Sequence, residues 1–196
     1  DDIFVVTKLG KDDMGFEKAT DAIRASYDRL GLKYIDLFLI HFPSPDEGVT
    51  AATWKALEEA KDSGIVRSIG VSNFMRGDLK ELLENSRIKP VVNQLEINPF
   101  NLMEEVDDFG YDNNIMTMAY SPLAKGRALE DGKVMKIAEK YNKTPAQIIL
   151  RWAVQRDLIP IPKTKDADRM KENLDLFDFS LTDEELERIT RIKKDS

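Results

Sequence analysis

The sequence holds no cysteine among its 196 residues and one histidine, His41. The missing thiols exclude disulfides, zinc–thiolate sites, iron–sulfur clusters and cysteine nucleophiles. A single imidazole excludes any metal site built from several histidines, and no metal is expected. Long apolar runs are lacking too; stretches such as 35–40 are short and interrupted, so neither a transmembrane helix nor a signal peptide is predicted. Basic charge is scarce, with 29 Lys and Arg against 36 Asp and Glu and a formal net charge of -7. General nucleic-acid binding rests on phosphate neutralisation, so no nucleic-acid partner is expected, although a local basic pocket stays compatible. No G-x-G-x-x-G turn occurs, which argues against a doubly wound dinucleotide-binding sheet. An initiator methionine is lacking as well, and the chain reads as a piece of something longer. These features predict a soluble, cytoplasmic, monomeric protein with no membrane partner.

What is present alternates. The composition, 42% hydrophobic and 33% charged, is that of a globular protein. Runs rich in β-branched and aromatic residues predict strands over 3–7, 34–40, 68–72, 91–95, 115–120 and 158–162. Apolar residues at helical spacing predict helices over 16–30, 50–63, 75–85, 102–113, 133–141, 144–155, 166–174 and 182–192. Gly31 and Gly64 stand where helices stop. Thr144-Pro145 is a helix start, and Thr182 with Glu185 makes a capping box. No strand alternates cleanly between apolar and polar residues, which is the pattern of a parallel sheet covered by helices. Strand starts recur about every 31 residues, and eight such units make the usual (β/α)₈ barrel of about 250 residues. The predicted fold is therefore α/β, a (β/α)₈ TIM barrel with six of its eight βα units in this chain, and residues 1–196 are read as one domain.

Polar residues gather at the strand ends: Thr7-Lys8, His41, Ser72-Asn73, Gln94, Tyr120-Ser121 and Lys163-Thr164. The C-terminal ends of barrel strands carry the active site, so these groups are predicted to converge on one mouth. Taken singly, each has a plain reading. His41 is then a half-buried structural histidine, Lys8 a solvated lysine, Asn73 a turn residue and Tyr120 a rim aromatic. Trp54 and Trp152 occupy apolar helical positions and read as core. It is the joint placement that raises the first group above these readings.

The same residues carry a resemblance. Val6-Thr7-Lys8, the run from Leu30 to Leu37 leading into Leu39-Ile40-His41, and Ile69-Gly70-Val71-Ser72-Asn73-Phe74 all match motifs of the aldo-keto reductases. So do Asn93-Gln94, Ala119-Tyr120-Ser121-Pro122-Leu123, and Ile161-Pro162-Lys163-Thr164 with Arg169, Glu172 and Asn173. The chain resembles that family, in a bacterial form, over essentially all of its length. The resemblance implies a barrel that binds NADP(H) and reduces aldehydes and ketones by hydride transfer, with a small carbonyl compound as substrate. It implies that Lys8 and His41 are the family's catalytic lysine and histidine. It further implies that Ser72, Asn73 and Gln94 hold the nicotinamide carboxamide and that Tyr120 stacks on its ring. Ser121 and Leu123 would approach the pyrophosphate. Lys163, Thr164 and Arg169 would hold the 2′-phosphate, and Glu172 with Asn173 the adenine. The family's catalytic Asp and Tyr lie on two βα units upstream of the strand bearing Lys8, and its C-terminal tail follows the last helix. The expectation is that both are absent from this chain, leaving its own activity incomplete. The alternative reading is a non-catalytic NADPH-binding regulatory or structural protein on the same fold.

Overall fold

The computed structural model describes residues 3–192, and the chain forms two compact units. The first comprises Asp1–Gln94 with Asp108–Ile115, the second Leu95–Asp107 with Met116–Ser196. Among the described residues there are six strands: β1 (Val6–Leu9), β2 (Ile35–Ile40), β3 (Val66–Ser72), β4 (Val92–Glu96), β5 (Met116–Tyr120) and β6 (Ile159–Ile161). Helices follow them in alternation: α1 (Phe16–Leu30), α2 (Glu47–Asp62), α3 (Arg76–Asn85), α4 (Glu104–Asp112), α5 (Gly132–Tyr141), α6 (Pro145–Gln155), α7 (Ala167–Leu174) and α8 (Asp183–Thr190).

In the first unit β1, β2, β3 and β4 pair in parallel in chain order, with Lys8 opposite Leu39, Ile40 opposite Val71 and Ser72 opposite Gln94. Ile35, Leu37, Phe38, Leu39 and Ile40 of β2 are all fully buried. Both faces of that strand are covered, which is why its sequence is a nearly continuous apolar run. Asp36 interrupts the run and has a task of its own: its carboxylate accepts the Val5 N–H at 2.9 Å. The Val5 carbonyl accepts the Leu37 N–H of β2 at 3.1 Å, and β1 runs from Val6 to Leu9. The predicted strand over 3–7 is therefore displaced, Ile3 and Phe4 lie exposed ahead of it, and Lys8 stands within the strand. Gly31 closes α1 in the left-handed conformation, φ 62°, which glycine adopts without strain. In β3, Gly70 has no room for a side chain. A Cβ there would lie 2.6 Å from the Val92 carbonyl oxygen and 2.8 Å from Leu39 Cδ2. Trp54 of α2 is buried, and its indole N–H donates to the Ile88 carbonyl at 2.9 Å.

In the second unit β5 and β6 pair in parallel, Met118 opposite Ile159 and Tyr120 opposite Ile161. Trp152 of α6 is buried, with its indole N–H donating to Thr190 Oγ1 at 3.0 Å. The expected capping box forms at the start of α8, Thr182 with Glu185, and the helix start at Thr144 proves to be a capping box too, with Gln147. The 3-10 segments at Lys11–Asp13 and Ala124–Glu130, the second broken by a kink at Lys125 and Gly126, were not predicted, because segments so short or interrupted carry no periodicity to read.

Glu185 does more than cap. Lys140 Nζ donates to it at 2.6 Å and the Tyr141 hydroxyl at 2.7 Å, fastening α8 to α5. Burial alone would push this carboxyl up, but the bonds from Lys140, the Thr182 backbone and Tyr141 outweigh it and hold the pKa at about 2. The folded pKa lies below the unfolded one. The stabilisation is therefore complete above the ordinary glutamate range near 4.5 and fades as pH falls from there toward 2. Acid unfolding followed by circular dichroism is expected to show the difference: wild type loses stability across that window, and Glu185→Gln, already weaker at neutral pH, loses less of it there.

Candidate active site

At the C-terminal ends of β1 to β4, the first unit sets five polar side chains on neighbouring strands. Parallel pairing puts those ends on one side of the sheet, so Lys8, His41, Ser72, Asn73 and Gln94 are brought together by topology. Asn73 organises them. It follows β3 with φ 60°, a left-handed conformation that asparagine tolerates better than most residues. Its backbone N–H donates to the Gln94 carbonyl at 2.9 Å. Its Nδ2 donates to the His41 carbonyl at 3.0 Å and to Ser72 Oγ at 3.1 Å. Ser72, itself buried, donates a hydrogen bond from its hydroxyl to the Gln94 carbonyl at 2.9 Å. The ends of β2, β3 and β4 are thus tied through two adjacent residues.

Charge acts on the site's one imidazole. His41 follows β2 directly, its backbone N–H donating to the Leu9 carbonyl at 3.3 Å. Its ring stacks on Phe42 with centroids 4.6 Å apart, and Lys11 Nζ lies 4.1 Å over the Phe42 ring. Partial burial, then the positive charges of Lys8 and Lys11, lower the His41 pKa, so the imidazole is neutral at pH 7. Burial lowers the Lys8 pKa as well. The other tyrosines of this unit near these strands are engaged elsewhere. The Tyr27 hydroxyl donates to the Lys33 carbonyl at 3.3 Å, and the Arg67 guanidinium lies 3.4 Å over the Tyr34 ring.

The second unit carries the remaining candidates. Tyr120 ends β5, half-buried, with its phenol pKa raised by burial and by the nearby Glu96 carboxylate. The chain then passes through positive φ at Ser121, Ala124, Lys125 and Gly126, a loop around Leu123 held in a costly backbone shape. Asn98, buried, steadies it by donating from Nδ2 to the Ser121 carbonyl at 3.4 Å. Lys163 and Thr164 follow β6, and Lys163 is exposed. Arg169 lies exposed in the first turn of α7, and Asn173 is half-buried near its end. Glu172 accepts a bond from the Thr144 hydroxyl at 2.6 Å.

The start of α7 differs from what its sequence suggests. Helix N-termini favour anions, but Asp166 already accepts the Asp168 and Arg169 N–H groups, each at 2.9 Å. The bonds to Arg169 and Asp168 lower the Asp166 pKa, so it remains an anion. An anion recruited here has to be held by side chains, Lys163 and Arg169 first among them. The predicted helix begins at Asp166, whereas Asp166 is its N-cap; an Asp heading an amphipathic run is the signal that marks it. The place of Lys11 over Phe42 had no such signal. Among the described residues no group of three His, Cys, Asp or Glu side chains is placed to hold a metal ion. None of the helices described is long and apolar enough to cross a membrane.

Known proteins resemble this chain in sequence and fold. The family model described as the Aldo/keto reductase family matches residues 1–194. An aldo-keto reductase of Mycolicibacterium vanbaalenii is 42% identical over 185 residues, covering 94% of this chain and 66% of its own length. The glyoxal reductase of Bacillus subtilis is 41% identical over 195 residues, covering 100% of this chain and 70% of its own. A Bombyx mori aldo-keto reductase, solved in complex with NADP, superposes with a TM-score of 0.90 at 40% identity, over 96% of this chain and 67% of that one. The chain thus spans about two thirds of the length of these relatives. The chain belongs to the aldo/keto reductase family.

Proposed function

We propose that the protein reduces aldehydes and ketones to alcohols with NADPH, on a (β/α)₈ barrel of which this chain supplies six βα units. The observation that carries this reading is the set of polar side chains on the ends of four consecutive parallel strands, with Lys8 acting electrostatically on His41. The donor sets suit the cofactor: Lys163 and Arg169 offer the cations a 2′-phosphate requires. Ser72, Asn73 and Gln94 offer the hydroxyl and amides that match a carboxamide. Tyr120 supplies the aromatic face for its ring, Ser121 and Leu123 the approach to the pyrophosphate, and Thr164 a hydroxyl beside Lys163. Glu172 and Asn173 take the adenine.

Bound NADPH supplies the hydride. The chain's residues govern the oxygen that receives charge as the carbonyl is reduced. Neutral His41 donates an N–H to that oxygen, and Lys8 adds a positive field beside it. The tyrosine that the family uses as proton donor stands upstream of the strand bearing Lys8 and corresponds to neither Tyr27 nor Tyr34. Small aldehydes are the first substrates to test, since a relative is named a glyoxal reductase. The test is consumption of NADPH absorbance with an aldehyde panel. Turnover supports the reading, whereas tight NADPH binding without turnover favours a regulatory protein on the same fold.

Arg169→Ala is expected to weaken NADPH by about 1–3 kcal/mol, the worth of a charged hydrogen bond, and to leave NADH nearly unchanged. Fluorescence titration with both cofactors checks this. Equal losses would remove the 2′-phosphate from Arg169.

A further inference from the structure

Glu172 is anchored from outside its own helix, by the residue that starts α6. The hydroxyl of Thr144, the N-cap of α6, donates to Glu172 Oε1 at 2.6 Å while accepting the Gln147 N–H at 3.3 Å. Gln147 in turn returns its Oε1 to the Thr144 N–H at 3.0 Å. Its Nε2 reaches across to α7's far end, donating to the Asp175 carbonyl at 2.9 Å and to Asp175 Oδ2 at 3.2 Å. Lys143 Nζ donates to Asp175 and Asp178, each at 2.8 Å, and these carboxylates raise its pKa. One capping box therefore does two jobs. It starts α6, and it fixes the last turn of α7, the helix that also bears Arg169 and Asn173.

We propose that Thr144, backed by Gln147 and Lys143, is a positioning residue that sets selectivity for the cofactor's base by orienting the Glu172 carboxylate. This rests on the reading above that Glu172 faces adenine. An ionised carboxylate only accepts hydrogen bonds. With Oε1 held by the Thr144 hydroxyl, rotation of the group is arrested and Oε2 is presented in one direction. A fixed acceptor favours a base that carries an exocyclic amine over one that carries a carbonyl at the same place. A carboxylate free to turn would discriminate less, because its ordering would have to be supplied on binding.

The probes are NADPH and its hypoxanthine analogue, which lacks the amine, titrated by fluorescence against the whole protein. Wild type is expected to favour NADPH by about tenfold, as loss of a hydrogen bond to a charged group implies. Thr144→Asp retains an N-cap acceptor, so α6 still starts, yet it cannot donate and it repels Glu172. It is expected to bring the preference close to unity, and Thr144→Ser to restore it. In a Glu172→Ala background, Thr144→Asp is expected to change nothing further. A purely structural Thr144 would weaken both cofactors alike and would do so in either background. Undiminished preference in Thr144→Asp overturns the proposal while leaving Glu172 on adenine. An unchanged preference in Glu172→Ala alone overturns the placement of Glu172, and this proposal with it.

Discussion

Lys8→Met is expected to slow NADPH-dependent carbonyl reduction by about 10²–10⁴-fold, the range over which a positioned acid and its charged support act. The same change is expected to raise the His41 pKa. Lys8 is among the groups that lower it, and removing a neighbouring cation relieves the repulsion against the imidazolium. The two effects have one origin and different readouts. His41 is the only histidine in the chain, so its ring gives a single, unambiguous NMR titration. Lys8→Arg, which keeps the charge, is expected to leave the His41 titration near its wild-type position. Full activity in Lys8→Met with an unmoved His41 titration would reduce Lys8 to a strand residue without chemical duty.

Gly70→Ala is expected to destabilise the first unit by about 3 kcal/mol, the upper part of the range for forcing an extra methyl into a packed interior. The obstacle is main chain: the new Cβ meets the Val92 carbonyl oxygen at 2.6 Å and the Val92 nitrogen at 3.3 Å. Leu39 Cδ2, at 2.8 Å, can rotate away, but a β4 carbonyl can retreat only by opening the sheet. Two residues further on, Ser72 pairs with Gln94, so a widened gap also loosens the Ser72–Gln94 bond. Cofactor affinity is therefore expected to fall together with the denaturation midpoint. Gly77→Ala in α3 is the control. Its Cβ meets nothing within 4 Å, and the change is expected to leave stability level or raise it by up to about 1 kcal/mol. Equal midpoints for the two variants would show that β3 and β4 yield at Gly70.

Which features could be read without coordinates follows from their physical origin. The buried run of β2 and the amphipathic spacing of α1 depend on local sequence alone, so both elements appeared where the pattern placed them. The Thr144-Pro145 helix start and the capping box at Thr182 are signals of two to four adjacent residues, equally local. The start of β1 was misplaced because it is set by pairing with β2, where Leu37 meets the Val5 carbonyl and Asp36, 31 positions along the chain, takes the Val5 N–H. Ile3 and Phe4 have the composition of a strand and none of its partners. Within the candidate site, the residue types and their strand-end positions were visible in the motifs. The bonds that orient them were not. Asn73 looked like a turn residue, and it is one, but its side chain also joins two strand ends. Thr144 looked like a helix start, and its bond to Glu172 spans 28 positions that no periodicity connects.

The two tryptophans fall one to each compact unit, Trp54 in the first and Trp152 in the second. Each indole is buried and hydrogen-bonded, so its emission is expected to lie to the blue while its own unit stays folded and to move red when water reaches it. In Trp152→Phe the remaining signal reports only the first unit, and in Trp54→Phe only the second. The chain thus carries one tryptophan reporter per unit. Superimposable melting curves would mark a single cooperative transition, and separated curves would give each unit a free energy of its own.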